Sequence, residues 1–214
     1  MMHTVNRALM AAIGMTVLMA CANVPAAGPS SGESSGPRFV LEMLPGPEFH
    51  KAQIAAWVED EEGRFLGTLY ATTKGARGAW AMAPSDGRPE ALPVWYGRRE
   101  GVADVVSSAT AKGATVYGSA LASNLPAGTY TVMLEINRSF DYNAAYPKSL
   151  GVNGQPSLVY KAALRTGGGK DEALFQPIGT GSVDGADGEI RPGLDGISTA
   201  LELFSTLRVS FESE

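Results

Sequence analysis

The chain has 214 residues, 44% hydrophobic and 18% charged, with 26 glycines and 13 prolines, a turn-rich composition that suits β structure better than helices. Net charge is −5 and the 17 lysines and arginines are scattered, so the basic footprint of a nucleic-acid binder is absent. One domain is the default at this length.

Residues 1–20 read as a secretory leader outside the fold. His3 and Arg7 give a short polar, positive start, and Ala8 to Val17 is an apolar run too short to span a membrane. Leu18-Met19-Ala20-Cys21 follows. A small residue before a lone cysteine resembles a bacterial lipobox, which implies that Cys21 is lipidated and begins the mature protein; a plain signal peptide cut near Ala20 or Ala27 is the alternative. Two or more acyl chains on one cysteine give stable attachment, whereas one is marginal. Ala22 after the cysteine, in place of Asp, resembles outer-membrane sorting. The expected location is periplasmic, anchored to the outer membrane through Cys21. Removing the leader, which holds Arg7 and no acid, takes the charge from −5 to −6 and leaves His50 and Cys21 as the sole histidine and cysteine. Disulfides, the usual His/Cys zinc site and, with Cys21 acylated, a cysteine nucleophile are thereby excluded, and no metal is expected.

Residues 21–37 are small and rich in Pro, Gly and Ser, a flexible tether; the domain is expected over 38–214. Arg38–Leu44 is the first strand. Gln53–Val58 and Arg64–Ala71 flank Glu59-Asp60-Glu61-Glu62-Gly63, a hairpin with an acidic, solvated tip. The stretch 73–100 breaks the pattern: Ala76–Met82 has room for a helical turn or two, and the remainder reads as loop through Pro84, Pro89 and Pro93. Thr129–Ile136 alternates, with Tyr130, Val132, Leu134 and Ile136 on one face and Thr131, Met133 and Glu135 on the other. The turn residues Leu125-Pro126-Ala127-Gly128 predict a hairpin between that strand and Thr115–Ala122. Ser157–Leu164 is a further strand. Alternation from Leu201 to Phe211 predicts a long last strand, with a helix from Ser198 as the rival for its first half. Many short strands separated by Gly/Pro turns predict an all-β fold: an antiparallel Ig-like β-sandwich with a short helical or loop insertion.

One heptad bears on chemistry. Asp104-Val105-Val106-Ser107-Ser108-Ala109-Thr110 resembles the target motif of extracytoplasmic flavinyltransferases, which has an acid, two residues, Ser/Thr, a small residue, Ala and the acceptor hydroxyl. The resemblance implies covalent FMN on Thr110 through a phosphoester, with Asp104 and Ser107 as motif residues. Ser108 stands where Gly is usual. An ordinary Ser/Thr-rich loop is the plain alternative. Four segments in order resemble a bacterial family of predicted periplasmic proteins of unknown function, often encoded near flavinyltransferases and membrane electron-transfer proteins. They are Ala55-Ala56-Trp57-Val58-Glu59-Asp60 with Leu69-Tyr70, Leu92-Pro93-Val94-Trp95, Asp104 to Thr110, and Ala127-Gly128-Thr129-Tyr130 with Glu135-Ile136-Asn137. Residues 126–132 are also similar to Ig-like domains of the flagellar hook-cap type. The resemblance implies a secreted sandwich tied to redox or envelope functions, with a flavinyltransferase and membrane redox proteins as partners.

A second candidate is Asn137 to Tyr146, a polar and aromatic run after the cleanest strand. Phe140, Tyr142 or Tyr146 could stack on a planar ring while Arg138 pairs with phosphate or carboxylate; aromatics covering a sandwich rim are the alternative. A third, Asp184, Asp187 and Glu189 in a Gly-rich loop, suits Ca²⁺ in ligand type, but Val183 and Gly185 fall where an EF-type loop needs ligands, so a solvated loop is expected. Gly167-Gly168-Gly169-Lys170 is followed by Asp171 rather than the Ser/Thr of a phosphate loop. His50 has no nucleophile elbow to serve. The expected protein is not an enzyme. It is an accessory or carrier in extracytoplasmic flavin-linked electron transfer, where the cofactor brings the chemistry; alternatively it is a binding or assembly module of the cell envelope.

Overall fold

Two antiparallel sheets face each other across one apolar core in the computed structural model, which describes residues 36–72, 88–99 and 115–213, with the backbone alone at 115–120. The strands are β1 (Arg38–Pro45), β2 (Gln53–Glu59), β3 (Phe65–Ala71), β4 (Thr115–Ser119), β5 (Gly128–Asn137), β6 (Leu158–Thr166), β7 (Asp171–Leu174), β8 (Gln176–Thr180), β9 (Arg191–Pro192) and β10 (Phe204–Glu212). One sheet has the order β4-β1-β10-β7 and the other β3-β2-β5-β6-β8-β9. The all-β sandwich expected from the period of two is the fold. Its strands lie in one compact unit, Ser35–Glu214.

Alternation places the core. Phe39, Leu41 and Met43 of β1 and Val209 and Phe211 of β10 meet Ile54, Ala56 and Val58 of β2, Tyr130, Val132, Leu134 and Ile136 of β5, and Leu158 and Leu164 of β6. The six-stranded sheet is covered on its other face as well. Ala55, Trp57, Met133 and Val159 pack there against Ala91, Leu92, Val94 and Trp95. All seven residues of β2 are consequently buried, and a strand apolar on both faces belongs in the middle layer of three.

Local chemistry sets the edges of these elements. Asp60 closes the β2–β3 hairpin by accepting from the amides of Glu62 (3.1 Å) and Arg64 (2.9 Å) and from Arg64 Nε (2.6 Å); that hydrogen bonding holds its carboxyl below the usual range. Tyr130 Oη donates to Pro126 O (2.9 Å), as does Thr166 Oγ1 (2.8 Å), tying the Pro-Ala-Gly turn to the far end of β6.

Three expectations are corrected. β4 does not form a hairpin with β5; it pairs with β1 in the opposite sheet, from Phe39↔Ser119 to Met43↔Thr115. Both edges of β5 are filled by β2 and β6, and the 3-10 turn Ala120–Asn124 carries the chain between sheets. Pro93 opens a short helix, α1 (Pro93–Arg98), instead of lying in loop; proline at the first helical position costs no backbone hydrogen bond. The start of the final stretch is a 3-10 turn, Thr199–Glu202, and the strand begins at Phe204. The helical turns expected within Ala76–Met82 lie outside the described residues.

Candidate functional site

The chain leaves β5 at Asn137 and returns to β6 at Leu158, and the connection is braced from inside. Asp141, 3% exposed, accepts from Arg138 Nη2 and from Thr199 Oγ1, each at 2.6 Å. Arg138 Nη1 donates to Glu48 O (2.9 Å) and lies 3.4 Å from Glu48 Oε2. The two limbs of the loop are stitched by Phe140 N to Val152 O (3.0 Å), Asp141 N to Asn153 O (2.9 Å) and Gln155 N to Asp141 O (2.9 Å). Gly154, at φ +78, must be glycine: a Cβ there would run into the Asp141 carbonyl.

This bracing sorts the candidates in the loop. The Arg138 guanidinium is spent on Asp141 and Glu48 within the protein. Tyr142 Oη donates to Val152 O (3.2 Å) and Tyr146 Oη to Asp195 O (3.1 Å). Phe140 is left standing out at 68% exposure, with φ +65. A bulky side chain in the left-handed region is a strained conformation that persists only where surroundings over-determine it, and such strain gathers at functional positions.

Phe140 forms a wall of two depressions. One, of about 560 Å³, is lined by His50, Lys51, Gln53, Arg88, Glu90, Ser139, Phe140 and Val152. The other, of about 440 Å³, lies between Pro47, Glu48, Phe49, His50 and Arg138, with Ser139 and Phe140 on the shared side. Arg88 is the organising cation of the first. Its Nε donates to Glu90 Oε1 (2.7 Å), Nη1 to Ser139 Oγ (2.5 Å) and Nη2 to Asn153 Oδ1 (3.1 Å), while Asn153 Nδ2 donates to Glu90 O (2.6 Å). Neither Arg88 nor Lys51 stands out in the sequence. Arg88 sits 51 and 65 positions from its partners Ser139 and Asn153, and nothing local announces that meeting. His50 is an exposed rim residue shared by both depressions.

Arg88 and Glu90 precede α1, and α1 is seated on a buried acid. Glu135, fully buried on the outer face of β5, accepts from Trp95 N (2.8 Å), Val94 N (3.2 Å) and Ser157 Oγ (2.6 Å). It substitutes for the missing N-cap, since Leu92 offers no side-chain acceptor. Burial pushes its carboxyl up to about 7, against the opposing pull of those hydrogen bonds. The other end of α1 is fixed by Arg98 at 3.5 Å from Glu59 and by Arg99, whose guanidinium carbon lies 3.9 Å from the Tyr96 ring centre.

In the Gly-rich loop, Asp187 takes a two-pronged pair from Arg191 (2.9 and 2.7 Å), which holds its carboxyl below the usual range, and Asp184 accepts from Ala186 N (3.0 Å). Among the described residues no group of three or more His, Cys, Asp or Glu side chains is placed to hold a metal ion. Cys21, Asp104, Ser107 and Thr110 lie outside the described residues. No family model matches the sequence, and no curated protein or solved structure does either.

Proposed function

We propose that this protein is a non-enzymatic binding module of the cell envelope, periplasmic and held at the outer membrane through Cys21, with the depression beside Phe140 as its recognition site. The observation that carries the reading is Phe140 itself: an exposed aromatic on strained backbone, braced by a buried ion pair, next to a concave site containing Arg88 and Lys51. Binding residues tend to sit on loops held by a rigid scaffold, and a concave apolar wall with a few polar groups is the usual form of a ligand site. Arg88 is engaged by Glu90, Ser139 and Asn153, so it is the exposed Lys51 that suits the site to a ligand combining an apolar or aromatic body with an anionic group. The test titrates the ¹⁵N-labelled protein with two probes, indole-3-acetate and phenyl phosphate. Saturable chemical-shift changes clustered at Lys51, Arg88, Phe140 and Val152 are expected. Changes scattered over the surface, or none at these four, overturn the reading.

The second reading is a carrier role in extracytoplasmic flavin-linked electron transfer, and its support is the heptad Asp104 to Thr110. In that role Thr110 carries FMN, with a flavinyltransferase and membrane redox proteins as partners. Intact mass after periplasmic co-expression with a flavinyltransferase decides it. A gain of FMN minus water, lost in Thr110→Ala, supports the carrier; an unmodified mass where a known acceptor is labelled removes it.

A further inference from the structure

We propose that residues 88–99 and the glycine-rich loop 181–190 form a lid on the outer face of the six-stranded sheet, latched by Glu135, which opens apart from the main core and which acidity tightens. The inference goes beyond the binding reading and holds with no ligand present. What the lid governs is one wall of the hollow beside Phe140, because Arg88 and Glu90 belong to it.

The lid has apolar contacts of its own. Ala91, Leu92, Val94 and Trp95 cluster with Ala55, Trp57, Met133 and Val159, and Ile190 of the loop packs on the same cluster. No residue of 88–99 enters the core between the two sheets. Lifting the lid therefore uncovers one face of one sheet and leaves the packing between sheets intact, and cooperative units of this kind open at a lower free energy than the whole fold. Loop and helix meet backbone to backbone: a Cβ on Gly188 would fall 2.9 Å from Gly97 Cα, and one on Gly185 2.5 Å from Glu90 Cα. Both also converge on one carboxyl. Gly181 N donates to Ser157 O (3.0 Å) and Ser157 Oγ to Glu135 (2.6 Å), while Glu135 accepts the α1 amides of Val94 (3.2 Å) and Trp95 (2.8 Å). A single side chain thus holds helix and loop to the sheet.

The charges around the latch set the direction. β2 contributes Glu59, held by Trp57 Nε1 (2.8 Å) and by Arg98 of α1 (3.5 Å). The residues before α1 bring Arg88 and Glu90, paired with each other (2.7 Å), and α1 brings Tyr96, with Arg99 stacked on Trp95 and Tyr96. β6 brings the exposed Lys161. The loop brings Asp184, Glu189 and Asp187, the last paired with Arg191. Among the described residues none of these cations forms an ion pair with Glu135, so burial goes unopposed by charge and lifts its carboxyl to about 7. With the lid raised the carboxyl meets water and returns to its ordinary 4.5. Between those two values the open form releases a proton that the closed form keeps. Each pH unit there favours opening by about tenfold, and the dependence ends above about 7.

Hydrogen exchange of the full chain, read by mass spectrometry from pH 5 to 8.5 and normalised to intrinsic rates, tests the lid. Peptides from 88–99 and 181–190 should lose protection by about seventyfold across that range, most of it below pH 7, and should stay less protected than β1 and β5 at every pH. In Glu135→Gln the slope should vanish. Gly188→Ala, at the seam between loop and helix, should lower protection in both segments at every pH and keep the slope. Lid protection equal to that of β5, a flat profile in the native protein, or a slope that persists in Glu135→Gln overturns the proposal. Should Glu135→Gln fail to fold, the native profile and Gly188→Ala decide: loosening of one segment without the other shows that helix and loop are not one lid.

Discussion

Replacing Glu135 by Gln tests how the outer layer is held. The native carboxyl is raised from 4.5 to about 7 by full burial. A tenfold change in proton affinity is worth about 1.4 kcal/mol, so the charged form is disfavoured in the fold by about 3 kcal/mol. The direction follows from proton counting. Between pH 4.5 and 7 the folded protein keeps a proton that the unfolded chain has released, so this group's contribution to stability declines as pH rises and levels off above about 7. Glutamine keeps an acceptor for the Trp95 amide and can offer its NH₂ to Ser157 Oγ, gives up the longer bond from Val94 N at every pH, and does not titrate. Urea unfolding followed by tryptophan fluorescence, run on both proteins from pH 4.5 to 8, isolates the effect as a difference. The variant should gain on the native protein by about 3 kcal/mol across that window. A difference that stays flat, or that moves the other way, refutes the assignment of a neutral carboxyl beneath α1.

Two further substitutions probe the same architecture. Gly181→Ala places a Cβ 2.5 Å from Ser157 Oγ, 2.6 Å from Pro93 Cγ and 3.1 Å from Glu135 Oε1; overpacking of this kind costs about 1–3 kcal/mol, read as a lower urea midpoint. Asp141→Ala leaves the Arg138 guanidinium, 18% exposed, with Glu48 as its remaining carboxylate, and should cost about 3 kcal/mol in thermal unfolding. Asp141→Asn should lose less, because an amide oxygen still accepts from Thr199.

The sandwich was legible wherever one face of a strand alternates, and β5 shows both the reach and the limit of that signal. Tyr130, Val132, Leu134 and Ile136 announce the core face, but the spacing says nothing of Glu135 being roofed by residues 91–95. The roof comes from a stretch whose prolines read as loop, and Pro93 becomes helical because Glu135, far away in sequence, accepts the first free amides. The partner of β4 was misread for a related reason: turn residues before β5 describe the turn, not which strand edge stands open. At the candidate site the loop from Arg138 to Tyr146 could be found from its composition. Its sorting into one displayed ring and several internal braces could not, since that depends on Glu48, Thr199, Asn153 and Arg88 arriving from four other segments.

The pairing of β1 with β10, from Arg38↔Glu212 to Pro45↔Phe204, occupies the middle of its sheet. The first described strand therefore waits for the last one before the sheet has a centre. β4 pairs with β1 and can form before β10, but β7 pairs in this sheet only with β10 and cannot join it until that strand is in place. Closing so long a loop is entropically costly and slows folding. The four-stranded face of the sandwich is thus completed only when β10 docks, which leaves the core uncovered on that side while the chain is threaded across a membrane, as the proposed export requires.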